Sequence, residues 1–445
     1  MLIRFVVNNF LSFDEEREFN MLAGSFKTHK HHVYQLQKLN LLKAAAIYGA
    51  NGAGKSNLIK AIRFLQRLVY AGEIEKSVND KKFRLRGKEL DRPIEFEIEF
   101  SKDRKTYAYG LSITGTTVVQ EWLYETGIDK DDKLIFERKS QKNKIVINVA
   151  DKYKKNPKDI LLIELMQDNL LKSNELLVSK TDNLKIPEIL KFKDWIDNYL
   201  IIIFPGSKFT GLTQSISMSK SFKSFANELL QTFDTGVKEL DVETMNFEKW
   251  IGQEDESLRD ELLEDLKDNT AIVFPASSGT VLITKEKGKP VVKKVVSMHH
   301  DLNGQPVFFD LNEESDGTQR LLDFIPAFGS ILNLDTTFII DEIDQSLHPV
   351  LLRSLVKKVM RDTQTKGQFI FSTHESNLLD LDIFRPDEIW FVEKDKKCNG
   401  SKLYSLSEFR PRHDLDIKRG YLKGRFGAIP FLADLENLNW NNELT

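Results

Sequence analysis

Cysteine is almost missing from this chain: Cys398 is alone among 445 residues. One thiol cannot close an internal disulfide, so packing must hold the fold, and the composition suits a reducing compartment. Long apolar runs are missing as well. The longest, about Tyr199 to Phe204, falls far short of the ~20 residues a membrane helix needs and reads as a buried strand. The start, Met1-Leu2-Ile3-Arg4-Phe5-Val6, lacks a basic-then-apolar leader pattern and also reads as a strand. The expected location is the cytoplasm, with no membrane partner. Excess basic charge is absent too. Lys and Arg number 64 against 67 Asp and Glu, a net charge of −3, which excludes coating nucleic acid through overall charge but permits a local patch. No internal repeat, low-complexity tract or nucleophile–histidine–acid triad is visible. Without Cys or His partners at zinc spacing, the histidines of Thr28-His29-Lys30-His31-His32 and the pair His299-His300 read as exposed loop or turn residues.

What is present is an ordinary globular composition, 41% hydrophobic and 29% charged, long enough for two or three domains. Within it, Gly49-Ala50-Asn51-Gly52-Ala53-Gly54-Lys55-Ser56 matches GxxxxGK[ST] at every fixed position. The apolar run Leu41 to Tyr48 precedes it, and Asn57 to Leu65 follows with helical spacing. Strand, glycine loop and helix start are the context that separates a phosphate loop from an unrelated glycine turn. Glycines let backbone amides turn onto phosphates, and the helix N-terminus adds partial positive charge. Lys55 is expected to reach the β- and γ-phosphates and Ser56 to ligate Mg²⁺. The implied ligands are ATP and Mg²⁺, contacted by residues 49–57.

Residues 2–22 hold two short strands. From Pro93 to about Lys139, alternation such as Phe96, Ile98 and Phe100 predicts antiparallel strands. The pattern turns helical from about Asp159 to Leu266, without sustained heptads. Strands return at Ala271–Pro275, Thr280–Glu286, Val291–Met298 and Val307–Asp310. The expected division is an N-terminal lobe at 1–150, a helical lobe at 151–270 and a C-terminal lobe at 271–445.

Three segments in the last lobe complete the candidate site. Thr336 to Glu342 is an apolar strand ending in two acids. In a phosphate-loop fold Asp341 holds Mg²⁺, and Glu342 polarises the attacking water; the alternative is a surface turn. Gln368 to His374 is another apolar strand ending in a histidine, whose alternative role is structural. Glu314-Ser315-Asp316-Gly317 precedes a helical pattern, with Ser315 at an N-cap and Gly317 placed to let amides approach an anion. Its plainer reading is an ordinary cap.

Asn9-Phe10-Leu11-Ser12-Phe13, Ala46 to Leu58, Asp341-Glu342-Ile343-Asp344-Gln345-Ser346-Leu347-His348-Pro349 and Ser372-Thr373-His374 together resemble the SMC-like branch of ABC ATPases, which includes the OLD proteins. Within it the chain most resembles the stand-alone RloA/AbiL-like ATPases of bacterial restriction and abortive-infection loci. Tyr421 to Pro430 is similar to the tail of that group. Leu-His-Pro replaces the Ser-Ala-Leu-Asp of transporter ATPases. The resemblance implies an α/β fold, an ABC/SMC-like phosphate-loop head with a mixed sheet and an inserted helical lobe. It gives catalytic roles to Glu342 and His374, the latter touching γ-phosphate and water. It also implies a homodimer sandwiching ATP, in which Ser315 and Gly317 of one subunit complete the other's site.

Two departures stand out. Leu11 occupies a position that is usually basic, and no clear Q-loop glutamine is present, Gln120 being the best candidate. The roughly 70 residues after His374 are too few for a Toprim-like nuclease domain. The resemblance therefore implies an ATP-driven switch acting on a separate protein effector, a toxin or nuclease encoded nearby, in antiphage defence. The alternatives are a DNA-binding repair or recombination ATPase and a nucleotide-dependent scaffold.

Overall fold

The computed structural model describes residues 1–87, 92–127, 131–141, 144–180, 185–208, 211–252, 256–268, 271–276, 279–412 and 415–429. The chain divides into two compact units. The first comprises Met1–Phe204, Leu334–Ile343 and Val356–Thr445; the second comprises Pro205–Asn333 and Asp344–Leu355.

The first unit is α/β, with a small antiparallel pair, Val33–Leu36 with Leu39–Leu42, and two large sheets. One runs in the order Leu200–Ile203, Thr337–Ile340, Gln368–Ser372, Ala44–Tyr48, Ile389–Lys394, Ser401–Ser405. Its first five strands are parallel and the last is antiparallel. Three central strands are buried at every position, which explains their continuous apolar runs: a parallel sheet is covered on both faces. The other sheet has seven antiparallel strands, with Leu2–Asn8 between Arg17–Asn20 and Ile94–Lys102. Phe96, Ile98 and Phe100 alternate inward. Helix Lys55–Ala71 buries Leu58, Ile59, Ile62, Leu65 and Val69 at helical spacing. It ends on Gly72, whose φ of 75° lets its N–H bond the Leu68 carbonyl.

The stretch expected as one helical lobe, 151–270, is shared between the units. Its first part belongs to the first unit, because Trp195 stacks on Phe100 at 4.5 Å and Phe192 on Tyr109 at 4.4 Å. Fully buried Glu121 adds a polar tie, accepting hydrogen bonds from the amides of Leu177 and Val178 at 2.6 and 2.9 Å. Burial raises the pKa of that carboxyl, while the two amides and Arg138 oppose the rise.

The second unit mixes helices with a five-stranded sheet containing Glu239–Asn246, Lys289–His300, Gly279–Glu286 and Ala271–Ala276, with Pro306–Asp310 paired to Lys289–His300. Phe247, Leu262, Leu266, Val281, Ile283 and Val292 form one of its core clusters. The strand Glu239–Asn246 lies inside the stretch read as helical.

The histidines near position 30 differ from expectation. His32 is buried at 3% exposure and its ring lies 4.4 Å from that of His31. His299 is held by Glu314 at 2.7 Å. Among the described residues, no helix is long and apolar enough to cross a membrane.

Candidate nucleotide site

Strand Ala44–Tyr48 delivers the glycine loop, and helix Lys55–Ala71 starts directly after it. Glycine is required at two points. A Cβ on Gly49 would sit 2.3 Å from the Val392 carbonyl oxygen. One on Gly54, where φ is 120°, would sit 2.1 Å from Ser401 Oγ and 2.8 Å from Ser12 Oγ. No side chain fits either place. The loop turns through Ala53 N–H bonding the Ala50 carbonyl at 3.1 Å, leaving Asn51 and Gly52 exposed at the tip. Asn57 donates to Ser12 Oγ at 2.8 Å, tying the helix start to the N-terminal segment.

Lys55 is only 4% exposed. Its ammonium donates to the Gly49 carbonyl at 2.8 Å, the Ala50 carbonyl at 3.3 Å and His374 Nε2 at 3.0 Å. Two residues 319 positions apart therefore meet at one point. Ser56 Oγ donates to Asp341 Oδ1 at 3.1 Å. Ser372, not singled out as a site residue from sequence, links the two acids. Its hydroxyl donates to Asp341 Oδ1 at 2.6 Å and accepts the Glu342 N–H at 2.8 Å. Its signal was positional: Ile340 pairs with Phe371 across the parallel strands, so the next residues out are Asp341 and Ser372.

Glu342 has a φ of 51°, a left-handed conformation costing a non-glycine residue about 1–3 kcal/mol unless its surroundings enforce it. The Ser372 hydroxyl is part of that enforcement. Ser372→Ala is expected to lower unfolding free energy by about 1–3 kcal/mol, because the Glu342 amide loses its acceptor and Asp341 loses a donor. Urea denaturation measures it; an unchanged midpoint would show that the link carries no strain.

In the second unit, Ser315 Oγ accepts the Thr318 N–H at 3.2 Å and caps helix Asp316–Asn333. A Cβ on Gly317 would stand 2.9 Å from the Ser346 carbonyl oxygen, a local reason for glycine there. Gln120, the Q-loop candidate, lies on strand Thr117–Glu125 with its amide bonded to Glu137 at 3.1 Å. Leu11 lines a cavity of about 460 Å³ together with Asn57, Lys60, Arg63, Arg67 and Lys81. The cation missing at position 11 thus has basic neighbours from the helix and Lys81.

A family profile described as "AAA domain, putative AbiEii toxin, Type IV TA system" matches residues 44–380. The chain belongs to this AAA-domain family. The match encloses the glycine loop, Ser315, Gly317, both strand-end acids and His374, while Leu11, Ser12, Val392 and Ser401 lie outside it. No curated protein matches the chain in sequence. Among solved structures, an SMC head bound to the C-winged helix domain of ScpA is 14% identical at a TM-score of 0.47, covering 92% of this chain and 99% of that one. An SMC head domain from Thermotoga maritima is 12% identical at a TM-score of 0.40, covering 91% and 98%. An Smc head with an extended coiled coil, bound to the C-terminal domain of ScpA derived from Pyrococcus furiosus, is 14% identical at 0.39, covering 92% and 99%.

Proposed function

We propose that this AAA-family chain is an ATP-binding and ATP-hydrolysing switch of the RloA/AbiL-like kind, acting as a homodimer on a separate effector in antiphage defence. The observation that carries the reading is the meeting of Lys55 with His374 and of Ser56 with Asp341. Phosphates entering the loop take over the Lys55 ammonium from the Gly49 and Ala50 carbonyls. His374, in contact with that ammonium, then stands beside the terminal phosphate. Glu342, next along the chain from Asp341, polarises the attacking water.

The hydroxyl of Ser56 and the carboxylate of Asp341 suit Mg²⁺. Both are hard oxygen donors, and their 3.1 Å separation is close to the roughly 3.0 Å edge of an octahedron with ~2.1 Å bonds. Ser56 and Asp341 would hold the ion, and its positive charge would offset the negative charge of the phosphates.

The family description, with its toxin and toxin–antitoxin terms, supports a defence role over general metabolism. The C-terminal basic run offers a docking face for an acidic effector surface. Arg410, Arg412, Arg419, Lys423 and Arg425 are exposed, whereas Lys418 reaches Asn377 and Asp416 caps helix Ile417–Leu422. Asp414 and Pro430 lie outside the described residues. Changing Arg412, Arg419 and Lys423 together to Glu is expected to cut co-purification of a neighbour-encoded effector at least ~10-fold. ATPase rate should stay within about twofold, since none of the three belongs to the loop. Loss of DNA retention with effector binding intact would favour the repair or recombination reading. An unchanged result in every assay would reduce the run to a solvated face.

A further inference from the structure

The strongest unassigned feature is the histidine cluster at the head of strand Val33–Leu36. The turn Lys30–His32 follows His29, which has a φ of 46°, and this sets three imidazoles side by side. One ligand atom from each lies within 4.8 Å of those of the other two. Their Nε2 atoms are all committed. His29 Nε2 bonds the Leu381 carbonyl at 2.8 Å, and His31 and His32 Nε2 share the Met360 carbonyl at 2.9 and 2.7 Å. A carbonyl cannot donate, so each Nε2 carries a proton, and in a neutral ring the Nδ1 keeps its lone pair. Orienting an imidazole through one nitrogen toward a carbonyl is also how metal-ligating histidines are usually held.

The Nδ1 of His32 faces Glu388, with both carboxylate oxygens at 3.0 Å. Glu388 is fully buried and His32 nearly so. Oε2 of Glu388 already accepts the Arg385 amide at 2.8 Å. A lone pair of nitrogen and a carboxylate, buried face to face, repel unless a positive charge sits between them. A proton or a metal cation can supply it. The nearby Arg385 guanidinium cannot, because Asp387 holds it at two points, 2.9 and 2.7 Å. Among the described residues, the Nδ1 atoms of His29 and His31 have no hydrogen-bond partner.

We propose that His29, His31, His32 and Glu388 bind one borderline divalent transition cation, for which Zn²⁺ is the representative. Three imidazole nitrogens and one carboxylate oxygen make a four-donor set of the kind zinc accepts. Tetrahedral bonds of about 2.0–2.1 Å place ligand atoms roughly 3.4 Å apart, so the rings close inward by side-chain rotation. His29 and His31 are half-buried and leave the ion a way in. The cation would staple the segment around residue 30 to strand Ile389–Lys394 through Glu388, away from Mg²⁺ at Ser56 and Asp341.

The test uses the full chain, free of any affinity tag, stripped with chelator and titrated with Zn²⁺ or Co²⁺ in excess Mg²⁺ without nucleotide. One Zn²⁺ per chain, a raised melting temperature and the intense visible absorption of tetrahedral Co²⁺ are expected. The double variant His29→Gln/His31→Gln should bind Zn²⁺ at least ~10-fold more weakly while binding ATP as the parent does. Glu388→Gln should weaken Zn²⁺ as well. Equal Zn²⁺ affinity in the folded double variant overturns the site. If that variant fails to fold, the parent decides: no uptake, or only the weak absorption of octahedral Co²⁺, overturns it.

Discussion

Lys55→Ala is expected to weaken ATP binding by about 100-fold, roughly 2.7 kcal/mol, whereas Glu342→Gln should bind ATP normally and lose turnover by about 10²–10⁴. The lysine is buried and held between loop carbonyls and His374, so in the proposed site its charge acts on phosphate from a position shielded from water, where charge counts most. The glutamine retains the shape and hydrogen bonding of Glu342 but not the charge that, in the proposed mechanism, draws a proton from water. Because Glu342 is held through its own amide by Ser372, a change at the end of its side chain should leave the surrounding backbone in place. Equilibrium binding with a fluorescent ATP analogue and phosphate release, run on both variants, separate the two effects. Wild-type turnover by Glu342→Gln would remove Glu342 from the chemistry.

ATP-bound Glu342→Gln is expected to run at twice the mass of the nucleotide-free protein in light scattering, as a dimer with two shared sites. Mixing Lys55→Ala with Ser315→Arg then tests the sharing. Random pairing makes half the dimers mixed, and each mixed dimer keeps one of two sites intact, so about a quarter of wild-type activity should return. Ser315→Arg is a better lesion than Gly317→Asp, because any Cβ at 317 meets the Ser346 carbonyl at 2.9 Å and would disturb the helix start by itself. Loss of the Ser315 cap costs only about 1 kcal/mol, too little to abolish activity through unfolding. Full hydrolysis by Ser315→Arg alone would sink the shared-site idea.

The glycine loop was legible because its neighbours obey the periods their elements require: unbroken apolar runs for covered parallel strands and helical spacing for the helix behind them. The parallel strands behind Asp341 and His374 were legible for the same reason. Ser372 was not, since its place beside Asp341 depends on register between strands about 30 residues apart. The strand Glu239–Asn246 was hidden because Leu240 is its only buried residue, which leaves a weak alternation that a helix prediction can absorb. The unit boundary near residue 204 escaped notice because the stacking of Trp195 on Phe100 is a long-range contact. The histidines near 30 were read as exposed because their partners, Met360, Leu381 and Glu388, arrive from more than 300 residues downstream.

The loop is tightest against two late residues: Gly49 against Val392, and Gly54 against Ser401. Both belong to the antiparallel pair Ile389–Lys394 and Ser401–Ser405. During synthesis the glycine loop leaves the ribosome more than 300 residues before the walls that shape it. A nascent or prematurely ended chain would carry the full loop sequence without its shape. Competence for ATP is therefore expected to wait until the pair Ile389–Lys394 and Ser401–Ser405 has been made and has closed on the loop.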